Sequence, residues 1–136
     1  MPTHTTYNLM LGEDEELDRQ VIQLLVDRHL PNVKLVGMAA TTTELLVWMR
    51  EKQAQLVVLD SHLPGMPLMT TLNLLLSQHP QLKVIILADS DEQRIMEHCL
   101  SLGAFAFIVR PFQPEQLVNA LNMAIRVLNM LAQGEK

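Results

Sequence analysis

The sequence predicts a doubly wound α/β fold, in which five parallel strands form one sheet with helices on both faces. Three observations predict it. Short apolar runs alternate with longer segments of helical period, the strand-like runs are apolar at consecutive positions, and Pro or Gly marks most of the junctions. Strands apolar on both faces need cover on both sides, which an antiparallel sheet with one wet face does not.

Each element has its own justification. The first strand is read at 8–11, ending before Gly12-Glu13-Asp14, and the first helix at 17–30, stopped by Pro31-Asn32. The second strand, 34–38, leads to Thr41-Thr42-Thr43-Glu44, which supplies N-cap residues for a helix at 43–52. The third strand, 56–59, delivers Asp60 and then the turn residues Pro64-Gly65; its helix, 69–78, ends before Pro80. The fourth strand is read at 84–87 and its helix at 92–102, with Asp91 as a cap and Gly103 as the stop. The fifth strand, 105–109, meets Pro111 and Pro114 ahead of a final helix at 115–132.

Composition bounds the setting. A chain of 136 residues with 49% hydrophobic content suits one domain over 1–136. Net charge is −5 with ten Lys and Arg, which argues against a nucleic-acid surface. The single cysteine, Cys99, permits no internal disulfide, so a reducing cytoplasm is expected and Cys99 reads as a small buried hydrophobe. No apolar run approaches the ~20 residues of a membrane span, and the first residues lack the pattern of a signal peptide. The expectation is a soluble cytoplasmic protein without membrane contact.

The chemistry gathers at strand ends. Asp60 ends the run Leu56-Val57-Val58-Leu59, and Glu13-Asp14 follow Leu9-Met10-Leu11. In open α/β sheets ligands bind beyond the carboxyl ends of strands, where strand order reverses; an order of 2-1-3-4-5 puts that point between the first and third strands. Three carboxylates there repel one another and raise their own pKa values unless a cation joins them, so a divalent metal ion is expected.

From these residues, and from Pro64-Gly65-Met66 and the stretch Gly103-Ala104-Phe105-Ala106-Phe107-Ile108-Val109-Arg110-Pro111-Phe112, the chain resembles the receiver domain of bacterial two-component response regulators. The resemblance covers about residues 7–128, the last helix running on as a tail to 136, and implies a flavodoxin-like three-layer sandwich with strand order 2-1-3-4-5. It implies that Asp60 accepts a phosphoryl group from a sensor histidine kinase or phosphotransfer protein, and that the domain is not itself an enzyme. Mg²⁺ or Mn²⁺ would be held by Asp14, Asp60 and the backbone carbonyl of His62, with Glu13 bound directly or through water. Octahedral, oxygen-seeking Mg²⁺ keeps several waters, which leaves room for a phosphoryl oxygen.

The sequence departs from the family pattern at three places. Glu13, where the family carries Asp or Glu, is an ordinary variant that lengthens the reach to metal. Ala88 stands where the fourth strand normally presents a Thr or Ser hydroxyl; Ser90 is two residues further on, and Asp89 brings another negative charge. Arg110 stands in place of a Lys, a longer and fork-shaped cation. Phe107 matches the aromatic that in the family follows the hydroxyl's movement, and Ala88 leaves space for it to lie inward. The resemblance also allows a cis peptide at Arg110-Pro111.

Other readings compete. A pseudo-receiver would keep the fold and act as a phosphorylation-independent interaction module, which Ala88 and Arg110 favour. A haloacid-dehalogenase-type phosphatase would need an Asp two residues after the nucleophile, where His62 stands, and a flavin site would need a phosphate loop after the first strand. His4, His29, His62, His79 and His98 have no zinc-like spacing. In the last helix Leu117, Leu121, Ala124, Leu128 and Leu131 form a stripe that covers the sheet, widened by Val118, Met123, Val127 and Met130. Such breadth predicts a homodimer or an output domain docked on the face of the fourth helix, fifth strand and fifth helix.

Overall fold

The structure is a computed structural model that describes residues 5–89 and 92–134. Strands and helices alternate in the order β1 (Tyr7–Gly12), α1 (Glu16–His29), β2 (Val33–Ala39), α2 (Thr42–Lys52), β3 (Leu56–Asp60), α3 (Leu68–Gln78), β4 (Lys83–Ala88), α4 (Gln93–Leu102), β5 (Ala106–Val109) and α5 (Pro114–Gly134). All strand pairings are parallel, and the sheet order is β2-β1-β3-β4-β5. Both features match the sequence expectation, with element ends within one or two residues of those read from the pattern.

Alternate residues along each strand feed two separate cores. Leu9, Leu11, Leu56, Val58, Ile85 and Leu87 pack under Ile22 and Val26 of α1 and Leu117, Leu121 and Ala124 of α5. Met10, Val57, Leu59, Val84 and Ile86 pack against Leu45 and Met49 of α2, Leu72 and Leu75 of α3 and Cys99 of α4. Burial of a Leu or Ile side chain contributes roughly 1.5–3 kcal/mol, so the two layers supply most of the drive to fold. The central strands are therefore apolar throughout, and their polar chemistry is pushed to the ends.

Junctions follow the predicted punctuation. Thr41 caps α2, its hydroxyl accepting from the Glu44 N–H at 3.1 Å, while the Glu44 carboxylate reaches back to the Ala40 N–H at 2.7 Å. Gly103 ends α4 in the left-handed conformation at φ 112°. The Arg110–Pro111 peptide is cis. Cys99 is buried, its Sγ 3.9 Å from Met69 Sδ.

Two expectations need correction. Leu131 does not join the buried stripe of α5 but is 40% exposed, because Leu128 is the last buried residue of a helix that runs on to Gly134. Helix α4 starts one residue late, at Gln93, with Glu92 at the N-cap position and no side-chain cap bond there. His4, Ser90 and Asp91 lie outside the described residues.

Candidate functional site: an acidic pocket closed by an arginine

The pocket begins at Gly12, the last residue of β1. A Cβ there would press on Leu63, Leu59 and Leu45 at 3.1–3.3 Å, so glycine lets the loop after β3 close over the strand end. Glu13 follows and is held at every polar group. Its N–H donates to the Ala39 carbonyl at 3.0 Å, and its carbonyl accepts from Arg19 Nε at 2.6 Å. Its Oε2 accepts from the Glu15 N–H at 3.1 Å, and its Oε1 from Arg110 Nη2 at 2.8 Å.

Glu13 is fully buried, and burial pushes its pKa up from 4.5 to about 7. The Glu15 N–H and Arg110 pull it down, while the charges of Asp60 and Asp18 push it further up. Mutual repulsion among carboxylates is thus present, as the sequence reading expected, but burial is the larger cause.

Asp60 ends β3 at 7% exposure, opposite Leu87 in the sheet register. The loop behind it is anchored on both sides. The Ser61 N–H donates to the Leu87 carbonyl at 2.8 Å and the Leu63 N–H to the Asp60 carbonyl at 3.1 Å. Further along, the Thr42 N–H donates to the Pro64 carbonyl at 2.9 Å, and Thr42 Oγ1 accepts from the Met66 N–H at 2.9 Å. Gly65 sits between them at φ 122°, where a Cβ would collide with Thr42 Oγ1.

Glu13, Asp14 and Asp60 come together as predicted: each offers a carboxylate oxygen, all within 4.8 Å of one another. Glu13 and Asp60 are buried and Asp14 faces solvent, so the cluster is open on one side. Hard oxygen donors of this number suit Mg²⁺ or Mn²⁺, which need few protein ligands and retain water on the rest.

Arg110, one residue past β5, closes the pocket. Nη2 lies 2.8 Å from Glu13 and 3.6 Å from Asp18; Nη1 lies 3.2 Å from Asp60 and 3.4 Å from Asp89. Burial works against its positive charge, but Asp60, Glu13 and Asp18 outweigh that and raise its pKa. The fork geometry is what a lysine cannot supply: two nitrogens serve two carboxylates from different strands.

The remaining predicted residues are placed around this centre. Ala88 is buried at the end of β4. Phe107 lies opposite Ile86 on the same face of the sheet and is half-buried against the second core. The His62 imidazole is exposed and 3.8 Å from Asp89. Sequence reasoning missed Asp18, Arg19 and Thr42. Asp18 lies in the first turn of α1, whose start the sequence pattern places, but nothing in the pattern aims it at Arg110.

Residues 9–122 match the sequence profile of the response regulator receiver domain. The chain belongs to the response regulator receiver domain family. This receiver is 24% identical over 114 residues to the chemotaxis protein CheY of Thermotoga maritima, covering 84% of the chain and 93% of that protein. It is 23% identical over 114 residues to the response regulator UvrY of Escherichia coli K12, covering 84% of the chain and 52% of that protein. The receiver thus spans about half the length of several curated relatives it matches.

Solved structures share the fold. A response regulator receiver domain protein from Clostridium thermocellum superposes with a TM-score of 0.82 at 24% identity, covering 92% of the receiver and 98% of that chain. The isolated receiver of RcsB from Salmonella enterica serovar Typhimurium, with the phosphomimetic BeF₃⁻, gives 0.82 at 20% identity and covers 87% of each chain. Among the described residues no helix is long and apolar enough to cross a membrane.

Proposed function

We propose that this receiver accepts a phosphoryl group on Asp60 from a sensor histidine kinase or phosphotransfer protein of a two-component system, in the cytoplasm. The observation that carries the reading is the position of Asp60: a carboxylate at a strand tip, nearly buried, with Glu13 and Asp14 beside it and one guanidinium against it. In the transfer an Asp60 oxygen attacks the phosphorus, the bond from phosphorus to the donor imidazole breaks, and the electron pair leaves with that nitrogen. The group is taken up once per domain rather than turned over, so the protein is not an enzyme.

The developing charge is what the surroundings must manage. A divalent ion held by Glu13, Asp14, Asp60 and the His62 carbonyl would neutralise phosphoryl oxygens. Arg110 supplies a second positive charge with two donors. Anchoring of the 61–66 loop to Thr42 keeps Asp60 oriented.

The donor's landing place is supported by Leu17, Val21 and Leu24, exposed at helical spacing on α1 and adjoining a groove formed by Asp18, Val21, Arg110 and Phe112. A homodimer or output domain would use the α4–β5–α5 face, where Leu100, Met123 and Met130 are exposed. Nucleic-acid contact is assigned to other segments, since this one is acidic; in RcsB of Salmonella enterica, whose structure was solved bound to the promoter rprA, the match covers 76% of the RcsB chain.

Incubating wild type and Asp60→Asn with acetyl phosphate and Mg²⁺, and weighing the intact proteins, tests the reading. One phosphoryl adduct on wild type alone supports it. No adduct under conditions that label another receiver leaves the interaction-module reading.

A further inference from the structure

Arg110 bonds two of the carboxylates that a divalent ion would need. It donates to Glu13 Oε1 at 2.8 Å and to Asp60 Oδ1 at 3.2 Å, two members of the three-carboxylate cluster. It also has somewhere else to go. Asp18 and Asp89 stand at the pocket rim, 3.6 and 3.4 Å from the guanidinium, with side chains 35% and 57% exposed.

We propose that Arg110 is a built-in competitor for the metal site: it holds Glu13 and Asp60 in the metal-free receiver, and divalent-ion binding moves it outward onto Asp18 and Asp89. This rests on the acidic cluster being the cation site of the proposed function. Three features support it. A guanidinium and a divalent ion held against the same two carboxylates repel each other at close range. Each inner contact is a charge-assisted hydrogen bond that the incoming ion must replace. The two rim carboxylates keep the displaced guanidinium paired, so its exit leaves no unpaired charge inside.

The consequence is a receiver whose pocket is stable without metal and whose metal affinity is weakened by its own side chain. Cation binding is then coupled to the position of the segment just after β5, where Arg110 precedes Pro111.

The test is Mn²⁺ binding, read from the electron paramagnetic resonance signal of the free ion, for wild type, Arg110→Gln, Arg110→Lys and Asp60→Asn, each checked for folding by circular dichroism. Arg110→Gln is expected to bind Mn²⁺ about tenfold tighter than wild type, with Arg110→Lys, a single-point cation, between them. In the same assay Asp89→Asn weakens binding more in wild type than in the Arg110→Gln background, because only in wild type does the carboxylate receive the displaced arginine. Equal or weaker binding by both folded Arg110 variants overturns the competition while leaving the cation site in place. Absence of Mn²⁺ binding in every variant at millimolar ion overturns the cation site itself and the proposal with it.

Discussion

Arg110 and Glu13 form a 2.8 Å ion pair across the top of the sheet, joining residues 97 apart in sequence, and the Glu13 side chain in that pair is 1% exposed. The pair ties the end of β5 to the end of β1 across two intervening strands. Its energetic weight follows from burial. A carboxylate with no access to water depends on the partner that remains.

Loss of that partner is therefore costly in the metal-free protein. Arg110→Gln is expected to destabilise by about 2–4 kcal/mol at pH 8, and by less at pH 5, where Glu13 takes up a proton instead. Urea titration at both pH values measures it. Equal losses at the two pH values would contradict an ionic role.

Glu13 also sets a pH dependence of its own. Its folded pKa, about 7, lies above its usual 4.5, so between those values the folded state binds more protons than the unfolded one. The contribution to stability is full below about pH 4.5 and is lost as pH rises to 7, a swing of up to about 3 kcal/mol. Glu13→Gln is expected to flatten this fall, seen as a smaller change in urea midpoint between pH 5 and pH 8.

The loop behind Asp60 predicts a steric effect. Gly65→Ala adds a methyl against Thr42 Oγ1 at a positive φ, and is expected to cost about 1–3 kcal/mol. Thermal melting reads the loss. A change within experimental error would mean that Thr42 does not pin the loop.

Ala88 predicts a gain. The residue is buried at the end of β4 beside an apolar hollow formed with Met69 and Ile95, so a threonine has room there. Ala88→Thr is expected to leave folding stability within about 1 kcal/mol. With acetyl phosphate it is expected to shift the population of the phosphorylated conformation by about tenfold, through one hydroxyl contact to a charged oxygen. Amide NMR shifts of β4, β5 and Phe107 with and without acetyl phosphate report that population.

Much of this was legible in the chain because the relevant signals are local. Period and punctuation locate the elements, and an acid at the end of an apolar strand has only one place to be in a parallel sheet. Asp60, Glu13 and Asp14 meet for that reason. The guanidinium of Arg110 was not placed by such signals: its grip on Glu13 and Asp60 depends on side-chain reach over the ends of the intervening strands, which no spacing encodes. Arg19, bonded to the carbonyls of Glu13 and Met38, is the same kind of case. Leu131 shows the opposite limit, where a helical period continues past the sheet that would have buried it.

The most direct test of the central claim is the position of the acyl phosphate. After treatment with acetyl phosphate and Mg²⁺, borohydride reduction converts a phosphorylated aspartate to homoserine, and peptide mass spectrometry locates it. Homoserine is expected at position 60 in wild type and at no acidic residue in Asp60→Asn. Homoserine at another carboxylate, or at none while a control receiver is labelled, would contradict it.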